Sequence, residues 1–303
     1  MKYRTLGRTG VQISTVVLGG NTFGAGVDEA GTKAVVARAL ELGINFVDTA
    51  ESYSAGVSET LLGKALAGHR DEFVLATKTG SGQEPPGRLS RMRIVARLEA
   101  SLRRLGTDYV DVYYFHFPDP ATPLEESLRA LEDLVRSGKV LYPAVSNHAA
   151  WRVAEMQGIA QRHDWSTVVC AQNGYNLLQR DVERELLPAC EHLGVSFIPH
   201  SPLAGGLLTG KYRRGAPLPA GSRYARTERM RGMLSDKNFD ALERYEAFSA
   251  SRGKAVGDLA IAWLLTRPSV ASVIAGVTSV AQLEEHARAG EWELTSEEIK
   301  DLA

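Results

Sequence analysis

The chain has 303 residues, of which 44% are hydrophobic and 23% are charged, the composition of a globular protein with a sizeable core. Its 35 Lys and Arg nearly balance its 36 Asp and Glu, which argues against nucleic acid or an anionic membrane as the main partner. Cys170 and Cys190 are too few for a disulfide framework, and no spacing is typical of a metal site. No apolar run approaches the roughly 20 residues of a membrane span, so we expect a cytoplasmic protein.

The amino-terminal segment predicts a β-hairpin, because residues 3–6 and 11–14 flank the Gly-rich turn of residues 7–10. Beyond it, short apolar runs alternate with helical patterns. The runs are residues 16–18, 45–48, 73–77, 110–115, 141–146, 168–170, 195–199 and 271–275. These eight runs predict eight strands.

The helical patterns between these runs are amphipathic. Ile94, Leu98, Leu102 and Leu105 form one apolar stripe, and the spacing repeats over residues 182–193. Glycines stand where a helix should end before the next strand, namely Gly43, Gly106, Gly138 and Gly194. Without a linker or a composition shift, the pattern predicts an α/β fold of one domain, residues 1–303: a (β/α)₈ TIM barrel with the hairpin as an amino-terminal plug.

A doubly wound sheet is the alternative fold. The stretch 24–29 comes near its phosphate-binding fingerprint, but Glu29 stands where the third Gly belongs. A long segment, residues 200–235, follows the seventh predicted strand and lacks strong periodicity. Its basic residues are Lys211, Arg213, Arg214, Arg223, Arg226, Arg229 and Arg231. They form either a solvated loop or a cover over an anionic ligand.

Four ionisable residues follow consecutive strands and should share the mouth of the barrel: Asp48, Tyr53, Lys78 and His116. Each has a plain structural alternative, since Asp48 could cap a turn, Tyr53 could pack on it, Lys78 could lie on the surface and His116 could be a hydrogen-bonded core residue. Together they could make an acid. A tyrosine of pKa ~10 is a poor proton donor, but an ammonium about 4 Å away is worth about 4 kcal/mol to the phenolate at an effective dielectric of ~20. We therefore expect Lys78 to lower the pKa of Tyr53, Asp48 to keep Lys78 cationic, and His116 to hold a carbonyl oxygen.

Residues 46–53, 75–78 and 111–119 resemble the aspartate–tyrosine, lysine and histidine motifs of the aldo-keto reductases, and the likeness extends over nearly the whole chain. The resemblance implies a hairpin-capped (β/α)₈ barrel that binds NADP(H) and reduces a small-molecule carbonyl compound. It makes Tyr53 the general acid, tuned by Lys78 and Asp48, with His116 orienting the carbonyl.

The resemblance also implies a set of cofactor contacts. Those expected at the carboxamide and nicotinamide are Ser146, Asn147, Gln172 and His200. Those expected at the pyrophosphate are Ser201, Leu203, Gly205 and Lys211. Those expected at the adenosine and 2′-phosphate are Gly276, Thr278, Gln282, Glu285 and His286.

The sequence departs from the family pattern at several of these positions. His200 replaces the usual stacking Tyr, Trp or Phe, so cofactor affinity could be weaker or depend on pH. His148 replaces a common Phe. His286 replaces an Asn that contacts the adenine in the family, and Gly276 stands where a lysine would contact the 2′-phosphate. The expected preference for NADP(H) over NAD(H) is therefore moderate. Members of the family that act on steroids tend to carry a longer carboxyl-terminal tail after the short helix expected here over residues 296–302. The resemblance therefore implies an open mouth that suits a polar or sugar-like carbonyl compound rather than a steroid.

Three activities are consistent with these residues. The first is reduction of aldehydes or ketones, and the second is alcohol oxidation by the same groups in the opposite direction. The third is a catalytically weak NADP(H)-binding sensor, since the sequence also resembles the potassium-channel β-subunits. No sequence signal points to an oligomeric state.

Overall fold

The structure is a computed structural model that describes residues 1–302, without the side chains of residues 229 and 230. Ala303, the last residue of the predicted domain, and the Arg229 side chain of the predicted basic segment lie outside the described residues.

The predicted hairpin is present. Strand β1 (Tyr3–Thr5) pairs antiparallel with β2 (Gln12–Ser14). Leu6, which follows β1, and Ile13 of β2 are fully buried among apolar residues of the barrel interior. Because the hairpin precedes the first barrel strand, it closes the end of the barrel at which the strands begin.

Eight parallel strands follow, and each corresponds to one of the predicted runs. They are β3 (Val16–Gly19), β4 (Phe46–Asp48), β5 (Val74–Thr79), β6 (Val110–Phe115), β7 (Val140–Ser146), β8 (Cys170–Gln172), β9 (Ser196–Phe197) and β10 (Val273–Gly276). Their order is β10-β3-β4-β5-β6-β7-β8-β9. The ring is completed by hydrogen bonds from Phe197 N to Ser269 O (2.7 Å) and from Ile274 N to Pro199 O (3.1 Å). The (β/α)₈ prediction is confirmed.

Helices connect these strands. They are α1 (Glu29–Glu41), α2 (Val57–Leu66), α3 (Arg91–Leu105), α4 (Leu124–Arg136), α5 (Ala150–His163), α6 (Leu186–Leu193), α7 (Arg223–Arg226), α8 (Asp236–Ala250), α9 (Val256–Leu265), α10 (Val280–Ala289) and α11 (Ser296–Asp301). The stripe predicted for α3 is buried, and Gly106 ends that helix in the left-handed conformation, with φ 66°. Helix α6 begins at Leu186, later than the pattern predicted, because a 3₁₀ turn (Asp181–Glu183) precedes it. Within residues 1–302, no helix has both the length and the apolarity to cross a bilayer.

The strands separate two apolar clusters. Along β6, Val112 and Tyr114 point into the barrel, whereas Tyr113 and Phe115 pack under the surrounding helices. Side chains of a strand alternate between its two faces, so one short strand serves both clusters. Both faces of the sheet are therefore packed, which holds the carboxyl ends of the strands as a rigid platform.

The long segment after β9 contains short helical turns, Ala204–Thr209, α7 and Glu228–Met233. Two of its predicted covering cations are engaged elsewhere. Arg213 bonds Glu246 (2.6 Å), and Arg214 pairs with Asp236 (3.0 Å) and further acids of α8. Of the two alternatives for this segment, a solvated loop or a cover over an anionic ligand, these ion pairs favour the first for Arg213 and Arg214, because they tie the segment to α8.

Candidate active site

The four predicted catalytic residues come together at the carboxyl ends of neighbouring strands. Asp48 is the last residue of β4, Lys78 lies near the end of β5, and His116 follows β6 directly. The strands are parallel, with Asp48 paired with Ala76 and Lys78 with Tyr114 in the register. The register therefore brings residues far apart in sequence to one mouth of the barrel.

Tyr53 reaches this mouth from an unusual turn. It begins the 3₁₀ segment Tyr53–Gly56, in which Ser54 and Ala55 have φ values of 49° and 53°. Non-glycine residues in this region cost about 1–2 kcal/mol each, so the surrounding contacts must hold the turn. One of them is the bond from Ser54 Oγ to Phe23 O (3.0 Å).

Lys78 is the centre of the cluster. Its ammonium is fully buried, donates to Asp48 Oδ1 and to Thr49 O (2.9 Å), and lies 3.4 Å from the Tyr53 hydroxyl. The pKa of Lys78 is raised: burial alone would lower it, but the Asp48 carboxylate and the Tyr53 oxygen oppose that effect. Lys78 therefore remains charged beside Tyr53.

The predicted lowering of the Tyr53 pKa is wrong for this structure. The pKa is raised, because burial of the phenol outweighs the opposing effect of Lys78, and the Asp48 carboxylate adds to the increase. The ammonium alone would lower this pKa, but the cost of burying a phenolate and the nearby negative charge together outweigh it. Tyr53 consequently keeps its proton at neutral pH.

His116 is neutral and directed at the mouth. Burial, helped by the charges of Lys78 and His200, lowers its pKa to about 3. Its Nδ1 is buried without a partner, whereas Nε2 is neither hydrogen-bonded nor fully buried. An orphaned buried N–H is costlier than an orphaned lone pair, which favours the tautomer with the proton on Nε2. The ring meets Tyr53 edge-on, with centroids 5.9 Å apart.

Gln172 links Asp48 to the predicted nicotinamide contacts through its side chain and its backbone carbonyl. Its Nε2 donates to Asp48 Oδ2 (2.9 Å), so both carboxylate oxygens have a donor. Its backbone carbonyl accepts from Ser146 Oγ (2.8 Å) and from Asn147 N (3.0 Å). Ser146 and Gln172 are paired in the register of β7 and β8.

His200 lies close to this group. Its Nε2 is 3.1 Å from Asn147 Oδ1 and its Nδ1 is 3.2 Å from Ser201 Oγ. Burial, followed by the charges of Lys78 and Arg223, lowers the pKa of His200 to about 4. The ring is neutral at physiological pH, so we expect no pH dependence of cofactor binding from it near neutrality. His148, the other departure in this region, is buried and donates Nδ1–H to Ser146 O (2.8 Å).

The residues predicted for the pyrophosphate follow in one segment. Gly205 and Gly206 have φ values of 65° and 99°, and Leu203 O accepts from Gly206 N (2.8 Å). A Cβ on Gly206 would lie 3.0 Å from Lys211 Nζ, so the missing side chain gives that ammonium its place beside the turn. Lys211 itself is exposed.

The residues predicted for the adenosine and 2′-phosphate lie at the end of β10 and the start of α10. Gly276 ends the strand, and Thr278 N donates to Gln282 Oε1 (2.8 Å). Glu285 is exposed on α10. His286 is buried and its Nδ1 has no protein partner. An orphaned polar atom at this position fits a site for a ligand.

Sequence reasoning missed two buried glutamates that support this platform. Glu59 of α2 is fully buried between Arg104 Nε (2.6 Å) and the hydroxyl of Thr77 (2.6 Å), the neighbour of Lys78. Glu51 accepts from Gly80 N (2.9 Å) just beyond β5. In the sequence, the only indication of Glu59 was a carboxylate placed on the apolar face of α2.

Arg223 is a further residue whose role the sequence did not indicate. It was predicted only as one of the basic residues of the loop, yet its charge acts on Tyr53 and His200.

Comparison with known proteins gives a consistent result. The sequence profile of the Aldo/keto reductase family matches residues 15–303. An uncharacterized oxidoreductase of Bacillus subtilis, YrpG, is 37% identical, covering 100% of this chain and 95% of its own length. A putative voltage-gated potassium channel subunit beta of Schizosaccharomyces pombe is 38% identical (99% and 92%). The L-glyceraldehyde 3-phosphate reductase of Escherichia coli O157:H7 is 35% identical (95% and 87%). The chain therefore belongs to the aldo/keto reductase family of NAD(P)H-dependent oxidoreductases.

Proposed function

We propose that this protein reduces the carbonyl group of an aldehyde or ketone to an alcohol with NADP(H), and that Tyr53 is the general acid. The observation that carries the proposal is the convergence of Tyr53 Oη, the buried Lys78 ammonium 3.4 Å away and the free Nε2 of His116 at one mouth. A proton donor, a cation for the resulting phenolate and a second hydrogen-bond donor are what carbonyl reduction requires.

A bound NADPH would supply the hydride for the carbonyl carbon, and the residues of this chain act on the carbonyl oxygen. Tyr53 gives its proton to the carbonyl oxygen as the C=O double bond becomes a single bond. The raised pKa keeps Tyr53 protonated beforehand, and an alkoxide is basic enough to take the proton. Lys78 then stabilises the phenolate, while Asp48 keeps Lys78 charged and in place.

His116 orients the substrate. As a neutral imidazole with its proton on Nε2, it can donate one hydrogen bond to the carbonyl oxygen without competing with Tyr53 as an acid. A pKa of about 3 keeps it in that state throughout the physiological range.

The cofactor would extend across the mouth from β7 to α10. The amide and hydroxyl groups of Ser146, Asn147 and Gln172 suit the carboxamide, with His200 and Ser201 beside them. The turn containing Gly205, with Leu203 and Lys211, suits the pyrophosphate. The unpartnered His286 Nδ1 suits the adenosine end, with Gly276, Thr278, Gln282 and Glu285 around it. We propose NADP(H) rather than NAD(H) because residues 274–286 resemble the element of the family that holds the adenosine and the 2′-phosphate.

We propose a polar, sugar-like carbonyl compound as the substrate class. One relative is named for an activity on a small phosphorylated sugar aldehyde, L-glyceraldehyde 3-phosphate. Polar groups lie at the mouth, namely Tyr53, His116 and His200, and the charge of the exposed Arg223 acts on Tyr53 and His200. Such groups bind hydroxyl or acidic substituents better than a steroid surface.

The test is a panel of aldehydes and ketones assayed in parallel with NADPH and NADH. We expect turnover with NADPH that falls about 10²–10⁴-fold in Tyr53→Phe, the contribution of a positioned acid. The matched control is Tyr109→Phe, which also removes the hydroxyl of a half-buried tyrosine, but one that donates to Asp71 (3.3 Å). Unchanged turnover in Tyr53→Phe would remove Tyr53 as the acid.

A regulatory NADP(H)-binding subunit is the second candidate function. It is supported by the 38% identity to a protein named as a putative potassium channel subunit beta. Tight NADPH binding with no turnover anywhere on the panel would favour this function over reduction.

A further inference from the structure

The edge of the His200 ring is hydrogen-bonded on both sides. Nδ1 lies 3.2 Å from Ser201 Oγ, and Nε2 lies 3.1 Å from Asn147 Oδ1. A phenyl ring of similar flatness could make neither contact. The replacement of the expected aromatic ring by imidazole therefore adds polar contacts at a position where a flat face would be sufficient for stacking.

The direction of these hydrogen bonds follows from the partners. Asn147 Nδ2 donates to His116 O (2.9 Å) and to Ser146 Oγ (3.1 Å), which leaves Oδ1 as an acceptor. His200 must therefore carry its proton on Nε2 and donate to Asn147. Nδ1 of the neutral ring then accepts from the Ser201 hydroxyl.

Backbone conformation indicates that this arrangement is held under constraint. Asn147 and Ser201, the two partners of His200, have φ values of 61° and 59°. Non-glycine residues keep such left-handed conformations only where the surrounding contacts impose them, and such residues cluster at ligand sites. His200 bridges these two residues across the ends of β7 and β9.

We propose that His200 is a positioning residue: its ring edge holds the Asn147 amide in the orientation that receives the nicotinamide carboxamide. Because Asn147 also donates to the backbone carbonyl of His116, the same contact helps to hold the His116 residue whose Nε2 faces the substrate carbonyl. This inference rests on the proposed NADP(H) reduction and extends it. The His200 ring would then have two roles: its flat face lies beside the nicotinamide, and its edge holds the side chain of Asn147.

The experiment compares the binding of NADPH with that of 2′-phospho-ADP-ribose, which lacks the nicotinamide, by titration calorimetry. In His200→Phe we expect about tenfold weaker binding of NADPH, the contribution of one lost hydrogen bond, and less than about twofold change for the fragment. His200→Gln keeps a flat group with an N–H near the position of Nε2, so it should recover most of the NADPH affinity. His192→Phe, at an exposed position of α6, is the matched control.

A second measurement asks whether His200 acts through Asn147. In an Asn147→Ala background, His200→Phe should weaken NADPH binding by less than about twofold, because the contact it removes is already absent. A full tenfold effect in that background would show that the ring acts independently of Asn147 and would overturn the proposal. Should His200→Phe fail to fold in a thermal melt, the comparison of His200→Gln with His200→Ala answers the same question.

The outcomes also separate this inference from the proposed function. A wild-type protein that binds no NADPH would overturn both. A wild-type protein that binds NADPH and reduces carbonyl compounds, with His200→Phe binding NADPH and the fragment as the wild type does, would overturn the role of His200 alone.

Discussion

Replacing Lys78 by Met is the sharpest test of the acid mechanism, because it removes the ammonium and keeps a chain of similar length. The ammonium lies 3.4 Å from the Tyr53 hydroxyl. At an effective dielectric of ~20, a charge at that distance is worth about 5 kcal/mol to a phenolate. The Asp48 carboxylate opposes it, since its charge raises the pKa of Tyr53. Lys78→Met removes this whole contribution while the opposing carboxylate stays, so we expect kcat to fall about 10³–10⁴-fold.

The same substitution leaves the Asp48 carboxylate, 2% exposed, with Gln172 Nε2 as its remaining side-chain donor. An unpaired buried charge costs about 3–5 kcal/mol, so Lys78→Met should also lower the free energy of unfolding by that amount. The double variant Lys78→Met/Asp48→Asn removes the charge and should recover most of the stability but not the activity. Lys64→Met is the control, because Lys64 is half exposed in a solvent-screened ion pair with Glu29 that contributes little to stability.

The assay is NADPH oxidation with a reactive aldehyde, combined with urea unfolding of each variant. A Lys78→Met enzyme with wild-type kcat would refute the stabilisation of the phenolate by Lys78. Recovery of kcat in the double variant would show that the loss came from the misplaced carboxylate rather than from the missing ammonium.

Two further predictions concern stability. Gly63→Ala should lower the free energy of unfolding by about 1–3 kcal/mol, because its Cβ would lie 2.4 Å from Leu105 O between α2 and α3. Gly158→Ala in α5, with nothing within 4 Å, should instead raise it by up to about 1 kcal/mol, and urea unfolding that ranks the two the other way contradicts the packing. Burial lowers the pKa of His148 from 6.5 to about 4, so its contribution is complete above pH 6.5 and is lost as the pH falls towards 4. His148→Asn should therefore reduce the slope of stability against pH in that window by about 1.4 kcal/mol per unit, and an unchanged slope would show that His148 is not the titrating group.

The sequence by itself determined the architecture. Each helix or strand must repeat its apolar residues at its own structural period to bury one face, whatever its neighbours are. Short apolar runs that alternate with amphipathic stripes, such as that of Ile94 to Leu105, therefore indicate strands and helices directly. The order of the elements also predicted that Asp48, Lys78 and His116 would meet, because parallel strands place their carboxyl ends at one edge.

Contacts between those strand ends were decided by the tertiary structure. The bond from Gln172 to Asp48 joins residues 124 positions apart, and that from His200 to Asn147 joins residues 53 apart. No local pattern specifies such pairs, because they depend on register and side-chain direction. The cations Arg213 and Arg214 likewise pair with acids of α8 that lie beyond the segment itself.

The pKa of Tyr53 shows most clearly what the sequence predicted and what the folded structure decided. Composition and order predicted an ammonium beside Tyr53, and the structure has one, yet the pKa of Tyr53 rises rather than falls. A pKa depends on how completely the group is removed from water and on every charge around it. Sequence identifies the groups, and only the folded chain sets their burial and distances, which decide the sign.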